Sequence, residues 1–334
     1  MKLAFVGFRH AHIFVMYQHA LALPGIEVVA ACEEDAATRQ TLATRNDLVL
    51  THETLDAMLD QVECDAVAIG DTYARHGPLI LRCLARGKHV IVDKPVCISL
   101  DELVAIEQQL RTKGLKLGCM LDMRDSPQTI GLRNLLRSGL IGEIHAISFG
   151  GQHPLLLGTR PAWYFEPGQH GGTLNDIAIH AVDALPWMTG LNIQEIVAAR
   201  TWNAFARDYP HFHDAAQVML TLENQCGVLG DVSYFMPNSM GYTLQLYWRM
   251  TFWGRKGVIE TSATSDQIMV ALDGERAPRY EPLPPGNPAG YLHAFLHEIA
   301  GTSQAGELTT PEVLRATRLA LQMQAVADQN RSIQ

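Results

Sequence analysis

The first 120 residues carry apolar runs at short, regular intervals: LAFV at 3–6, VVAAC at 28–32, AVAIG at 66–70, HVIV at 89–92 and LKLGCML at 115–121. None of these runs alternates with polar residues, so each suits a strand covered on both faces. The stretches between them read as helices, among them IFVMYQHALAL, PLILRCLARG and LDELVAIEQQLRTKG. LVLT at 48–51 reads as one more short strand. Strands this apolar, separated by helices, predict a doubly wound parallel sheet of Rossmann type over residues 1–123.

From residue 124 the rhythm changes. QTIGLRNLLRSGLIG predicts a helix, EIHAISFGG a strand, and GGTLNDIAIHAVDALPWMTG a helix between glycines. Alternating stretches follow from IVAARTWNAF to DQIMVALDG, with turns at Glu223-Asn224, Gly254-Arg255 and Asp273-Gly274. They predict an α+β domain over 124–334, built on a mostly antiparallel open sheet. EPLPPGNP reads as an extended linker, and two closing helices begin near Gly290 and Pro311; these could pack back on the first domain.

The chain has 26 Lys and Arg against 35 Asp and Glu, a formal charge of −9, and no basic stripe, so no nucleic-acid partner is expected. No apolar stretch approaches membrane-spanning length, and the run after Lys2 stops at Arg9, too short for a signal-peptide core. The six cysteines are scattered with no C-x-x-C pair, which fits a reducing, cytoplasmic setting.

Strand, Gly7 and helix in MKLAFVGFRHAHIF form the opening of a dinucleotide-binding unit, in which loop amides and a helix N-terminus hold a pyrophosphate. The G-x-G-x-x-G fingerprint survives only at Gly7: Arg9 stands at the second glycine position and His12 at the third. Glu33 follows the second strand at the spacing expected of the carboxylate that takes the ribose hydroxyls. Its charge would repel the extra phosphate of NADP, so NAD is favoured. Glu33, Glu34 and Asp35 also suit a helix start, and the two roles are compatible.

GKHVIVDKPVCISLDELVAIE closely resembles the Gfo/Idh/MocA (glucose–fructose oxidoreductase/inositol dehydrogenase/rhizopine-catabolism) family, which carries G-K-H-V-x-x-E-K-P at this place. RSGLIGEI, GGTLNDIAIHAVDALPWMTG, DAAQVMLTLENQCGVLGDVS and FWGRKGVIE resemble its later landmarks in order. The resemblance implies an NAD(H)-dependent oxidoreductase acting on a secondary alcohol or ketone of a sugar, sugar derivative or cyclic polyol. It also implies catalytic residues Lys94, Asp176 and His180, a Lys94–Pro95 bond that is often cis, and assembly into homodimers or homotetramers. Related readings are a lyase or glycosidase that uses NAD without net redox change, and a non-catalytic ligand-sensing protein on the same fold.

The chemistry of these residues is consistent with that role. Lys94 follows a buried strand at the sheet's carboxyl edge, where open α/β sheets place ligands. Asp176 and His180 are i and i+4 on one predicted helix; the histidine could take a hydroxyl proton while the aspartate orients it or binds a neighbouring hydroxyl. A structural ion pair or two metal ligands would give the same spacing. The His10/His12 pair and HFHD at 211–214 match no recognised metal signature, so no metal is expected, and 211–213 reads as a polar loop at the pocket rim. The cofactor is expected to meet Gly7, Phe8, Arg9, His10, His12, Glu33, Asp71, Thr72, His76, Asp93, Lys94 and Pro95. Substrate candidates are Arg124, His153, Trp163, Tyr164 and Asp176, with Arg160 on the same loop; Arg124 could instead make a domain-interface salt bridge, Trp163 could be core, and Asp183 suits a structural pair.

Three departures from the family pattern stand out: the glycine loop, Asp93 in place of glutamate, and Asp71-Thr72-Tyr73-Ala74-Arg75-His76 where T-P-N-x-x-H is usual. Arg9 and Asp71 lie on loops that flank the same cleft. They are expected to form an ion pair across it, or else Arg9 contacts the pyrophosphate.

Overall fold

The computed structural model describes residues 1–331. Its N-terminal half runs β1 (Lys2–Val6), α1 (His12–Ala22), β2 (Glu27–Cys32), α2 (Ala36–Leu42), α3 (Leu55–Gln61), β3 (Ala66–Ile69), α4 (Tyr73–Ala85), β4 (His89–Val92), α5 (Leu100–Lys113) and β5 (Leu117–Cys119). The five strands form one parallel sheet in the order β2-β1-β3-β4-β5. Every residue of β3 is buried, as a strand covered on both faces requires. Helix α5 illustrates the local signals: the Ser99 hydroxyl caps the Glu102 amide at 3.2 Å, acids fill the first turn, and Gly114 closes the helix at φ 66°. LVLT does not form a strand. Only a single bridge joins Cys32 to His52 there.

The second half runs α6 (Pro127–Arg137), β6 (Ile144–Pro154), α7 (Ile179–Thr189), β7 (Ile193–Trp202), β8 (Ala215–Leu222), β9 (Gly227–Met236), β10 (Arg249–Gly254), β11 (Gly257–Thr261), β12 (Gln267–Leu272), β13 (Arg279–Pro282), α8 (Gly290–Ala300) and α9 (Thr310–Arg331). Its eight strands order as β13-β12-β11-β10-β6-β9-β8-β7, antiparallel throughout except for β6 beside β9. Strands β8 and β9 alternate buried and exposed residues, so one face is packed and the other open. Two sequence expectations fail here. Residues 242–248 are turns and not strand, so β10 begins only at Arg249, and the start of the Pro-rich stretch joins the sheet edge as β13.

The closing helices tie the halves together. Leu292 and Phe295 of α8 pack in one core with Leu3, Phe5 and Ile91 of the first sheet. Gly118 lets Phe295 approach β5; a Cβ there would lie 2.9 Å from its ring. Among the described residues no helix is long and apolar enough to cross a membrane, and all six cysteines are free and buried.

A buried ion pair clamps the junction. Arg124 lies in a short 3-10 turn at Asp122–Asp125, directly after the first sheet. Its guanidinium donates to both oxygens of Asp183 on α7, at 2.8 and 2.6 Å, and to Glu312 on α9 at 3.2 Å. Arg124→Ala would strand Asp183 without a counter-ion and should cost about 3–5 kcal/mol of unfolding free energy in urea titration. The apolar pair Arg124→Met/Asp183→Leu should recover most of that loss.

Candidate active site

The site forms where the carboxyl ends of β1, β3 and β4 meet the second domain. The chain turns sharply after β4 through a cis Lys94–Pro95 bond. His76 on α4 braces this turn, its ring nitrogens lying 2.7 Å from the Pro95 carbonyl and 3.0 Å from that of Asp71. Lys94 is 6% exposed, and its ammonium donates to the Asp176 carboxylate and, at 3.1 Å, to the Asp176 carbonyl.

Asp176 is the hub. Tyr73 donates to its Oδ1 at 2.8 Å, and Tyr234 donates to its Oδ2. His170 Nε2 lies 3.2 Å from the same Oδ2. Burial opposes ionisation of this carboxyl, but Lys94 and His170 outweigh it and hold the group well below the usual carboxylate range. Asp176 sits in a π-helical turn, Leu174–Ala178, that precedes α7. The wider turn breaks the simple i, i+4 register expected between Asp176 and His180. Asp176 therefore serves Lys94, and no hydrogen bond joins it to His180. The Nδ1 of His180 is buried without any partner. Burial, reinforced by Lys94, pushes this imidazole well below its ordinary range, so it is neutral at pH 7.

Lys94, Asp176 and His180 line one cavity of about 400 Å³. His10, His12, Asp122, His153, Arg160, Tyr164, Tyr234 and Trp248 share its wall. His153 is on that wall as anticipated, and Arg160 lies over the Tyr164 and Tyr234 rings at 4.7 and 5.1 Å. Two substrate candidates are elsewhere. Trp163 is packed behind Tyr164, with its Nε1–H donating to the Arg9 carbonyl at 3.2 Å, and Arg124 is consumed by Asp183 and Glu312. The 211–214 loop is also off the wall: Asp214 accepts the amides of Ala204, Phe205 and Ala206, and His213 meets Thr201. Tyr73, His170, Tyr234, Asp122 and Trp248 were not read from the sequence. Only Tyr73 carried a signal, at the Asn position of the altered T-P-N motif.

The nucleotide side is rebuilt in a recognisable way. Gly7 turns at φ 78° so closely under Asp71 that a Cβ would lie 2.7 Å from that residue's own Cβ. Glu33 accepts the Phe8 amide at 2.6 Å and the Asp35 amide at 2.8 Å. Arg9 lies 3.5 Å from Asp71, the ion pair expected across the cleft, and Arg75 holds the other Asp71 oxygen at 2.8 Å. Thr72 instead turns to the second domain, donating to Gln169 at 3.0 Å. The His10 and His12 side chains point inward to Asp93. Helix α1 has no side-chain cap and no acid in its first turn, which leaves its N-terminus suited to an anion such as a pyrophosphate. Glu33 itself is fully buried on these amides, so Arg9 and the uncapped turn are the groups that fit the pyrophosphate of a dinucleotide.

Comparison with known proteins agrees with this geometry. Residues 1–120 match the model described as oxidoreductase family, NAD-binding Rossmann fold, and residues 130–260 match the GFO/IDH/MocA C-terminal domain. The chain belongs to the Gfo/Idh/MocA oxidoreductase family. Its first domain is thus that family's NAD-binding Rossmann domain. An uncharacterized oxidoreductase of Synechocystis sp. is 24% identical over 66% of this chain and 62% of its own length. Inositol 2-dehydrogenase 2 of Saccharopolyspora erythraea is 25% identical over 67% and 63%. The chain thus spans somewhat over six-tenths of the length of these two curated relatives. An Agrobacterium radiobacter oxidoreductase, solved with NAD⁺, L-tartaric acid and magnesium, superposes with a TM-score of 0.81 at 17% identity, covering 98% and 96% of the two chains. An aldose–aldose oxidoreductase from Caulobacter crescentus, solved with glycerol, gives 0.77 at 21% identity over 99% and 98%. At such identities these two structures bear on the fold alone.

The imidazoles on the cavity wall make stability pH-dependent. Desolvation lowers the part-buried His153 to about 4 and holds the buried His180 well below its ordinary range. An unfolded histidine takes up its proton near pH 6.5, so the folded form loses ground as pH falls below that value. At pH 5 the loss should reach about 2 kcal/mol for His153. Melting temperatures measured from pH 7.5 to 5 should fall steadily, and His153→Gln should flatten the decline.

Proposed function

We propose that this chain is an NAD(H)-dependent oxidoreductase acting on a secondary alcohol or ketone of a sugar, sugar derivative or cyclic polyol. The observation that carries the reading is the pairing of Lys94 with a neutral, partner-free His180 on one cavity wall, at the carboxyl edge of the nucleotide-binding sheet. NAD, when bound, supplies the hydride acceptor or donor. Arg9 with the first turn of α1 would take the pyrophosphate, and Glu33, buried on the Phe8 and Asp35 amides, would act on the ribose end through its charge. The negative charge of Glu33 favours NAD over NADP.

The chain's own residues account for the proton. The Lys94 ammonium binds the reacting hydroxyl and lowers the cost of developing charge on that oxygen. His180 is neutral in the working range and accepts the hydroxyl proton; in reduction it returns it. Asp176 holds the Lys94 ammonium in place through its carboxylate and its carbonyl. Tyr164, Tyr234 and Trp248 give flat apolar surface, with Arg160 and His153 as polar groups between them, a lining suited to a polyol ring. The open face of the second sheet carries exposed Met219, Leu229 and Trp253, which supports self-association through that face.

Steady-state kinetics on a panel of sugars and polyols tests the reading. His180→Asn and Lys94→Ala should each lower kcat about 10²–10⁴-fold. NAD⁺ should still raise the melting temperature of both variants, and more than NADP⁺ does. Full turnover in His180→Asn, or no stabilisation of the parent protein by either nucleotide, would overturn it.

A further inference from the structure

The cluster beneath the glycine loop is not explained by hydride chemistry. His10 and His12 both turn their Nδ1 atoms to Asp93, one to each carboxylate oxygen; the His12 contact is 3.2 Å. The two rings stand 4.5 Å apart, and the three ligand-capable atoms all lie within 4.8 Å of one another. Two departures from the family pattern, His12 for glycine and Asp93 for glutamate, thus meet at one point.

Hydrogen-bond accounting sharpens the case. His10 Nε2 lies 2.9 Å from Tyr164 OH and 3.2 Å from Tyr73 OH, and the two hydroxyls are 2.8 Å apart. Tyr73 must donate to the ionised Asp176, which can only accept. Tyr164 must then donate to Tyr73 for that contact to hold a proton. His10 Nε2 is left as the donor to the tyrosine oxygens. In the neutral ring the proton is then on Nε2, and the Nδ1 lone pair faces an anionic Asp93 oxygen. Either a second proton on Nδ1 or a bound cation satisfies that contact.

We propose that His10, His12 and Asp93 form a binding site for a divalent transition-metal ion of the zinc class, with its open coordination positions facing the cavity. Two imidazoles and a carboxylate suit Zn²⁺, Co²⁺ or Mn²⁺ better than a hard, all-oxygen cation. In a tetrahedral zinc shell neighbouring ligand atoms stand about 3.3 Å apart; the His12–Asp93 spacing is close to that, and His10, in direct contact with Asp93, would draw back to admit the ion. The hydroxyls of Tyr164 and Tyr73 hold the distal nitrogen of His10, the outer-shell brace that metal-bound histidines ordinarily have. His10, His12, Asp122 and Lys94 line the same cavity, so the ion would meet a substrate beside the lysine. It would favour ligands offering two neighbouring oxygens, such as a vicinal diol or a hydroxy acid. The site does not depend on which alcohol is oxidised, or on whether any is.

The test is metal binding by the full chain, without reference to turnover. Protein stripped with a chelator is dialysed against Zn²⁺ alone or Co²⁺ alone, then assayed for metal content and for visible Co²⁺ ligand-field bands. We expect about one ion per chain. His12→Ala should weaken Zn²⁺ binding at least about 100-fold, whereas His12→Cys, which keeps a ligand on a half-exposed side chain, should largely retain it. His211→Ala, in the chain's other His-x-His pair, should bind as the parent does. No retained Zn²⁺ or Co²⁺ in the parent protein, or undiminished binding in both His12→Ala and Asp93→Asn, would overturn the proposal.

Discussion

One buried carboxylate organises this molecule. Asp176 is 3% exposed, and an ion so placed is tolerated only if its oxygens are satisfied. Lys94, Tyr73, His170 and Tyr234 supply that satisfaction, and they come from four separate places: the end of β4, the start of α4, the loop before the π turn, and β9. Two of the four belong to the nucleotide-binding half and two to the other. The two halves therefore meet in one orientation, because any other would leave a charge buried without partners. The cavity is the space beside this hub.

Two further contacts hold the same orientation by different physics. Arg124 reaches from the end of the first domain to Asp183 and Glu312, a second buried ionic tie. Helix α8 covers one face of the first sheet with Leu292 and Phe295, a largely apolar contact. The ionic ties define geometry, and the apolar one supplies burial. A site that must align a nucleotide from one half with a pocket wall from the other needs both, since small misplacements of reacting groups are costly.

How much of this was legible in the sequence follows from the range of each signal. The strands of the first sheet were legible because apolar runs report burial locally, residue by residue. LVLT misled because an apolar tetrapeptide is compatible with simple packing, and its neighbour β2 offers it only one bridge. Lys94, Asp176 and His180 were legible as parts of motifs. Their contacts were not, because the π turn at Leu174–Ala178 alters the facing of Asp176 and His180 in a way that residue spacing cannot convey. Tyr234, on β9, and Trp248, in the turn before β10, belong to no motif and reach the cavity because distant strands pair beside them. Trp163 and Arg124 were sound candidates by residue type. Their places were decided by partners far away in sequence, the Arg9 carbonyl and Asp183.

The saturation of Asp176 also bears on His180. A carboxylate that already accepts from four groups has no lone pair to spare for an imidazole one turn away. His180 is left with a buried nitrogen and no partner, a condition that native structures rarely keep without a use. The same carboxylate draws Lys94 to the cavity floor, where its charge further lowers the proton affinity of His180. One arrangement thus sets the Lys94 side chain and a neutral imidazole on the same cavity wall. The proposed reading rests on that placement, with one group to hold a hydroxyl and the other to take its proton.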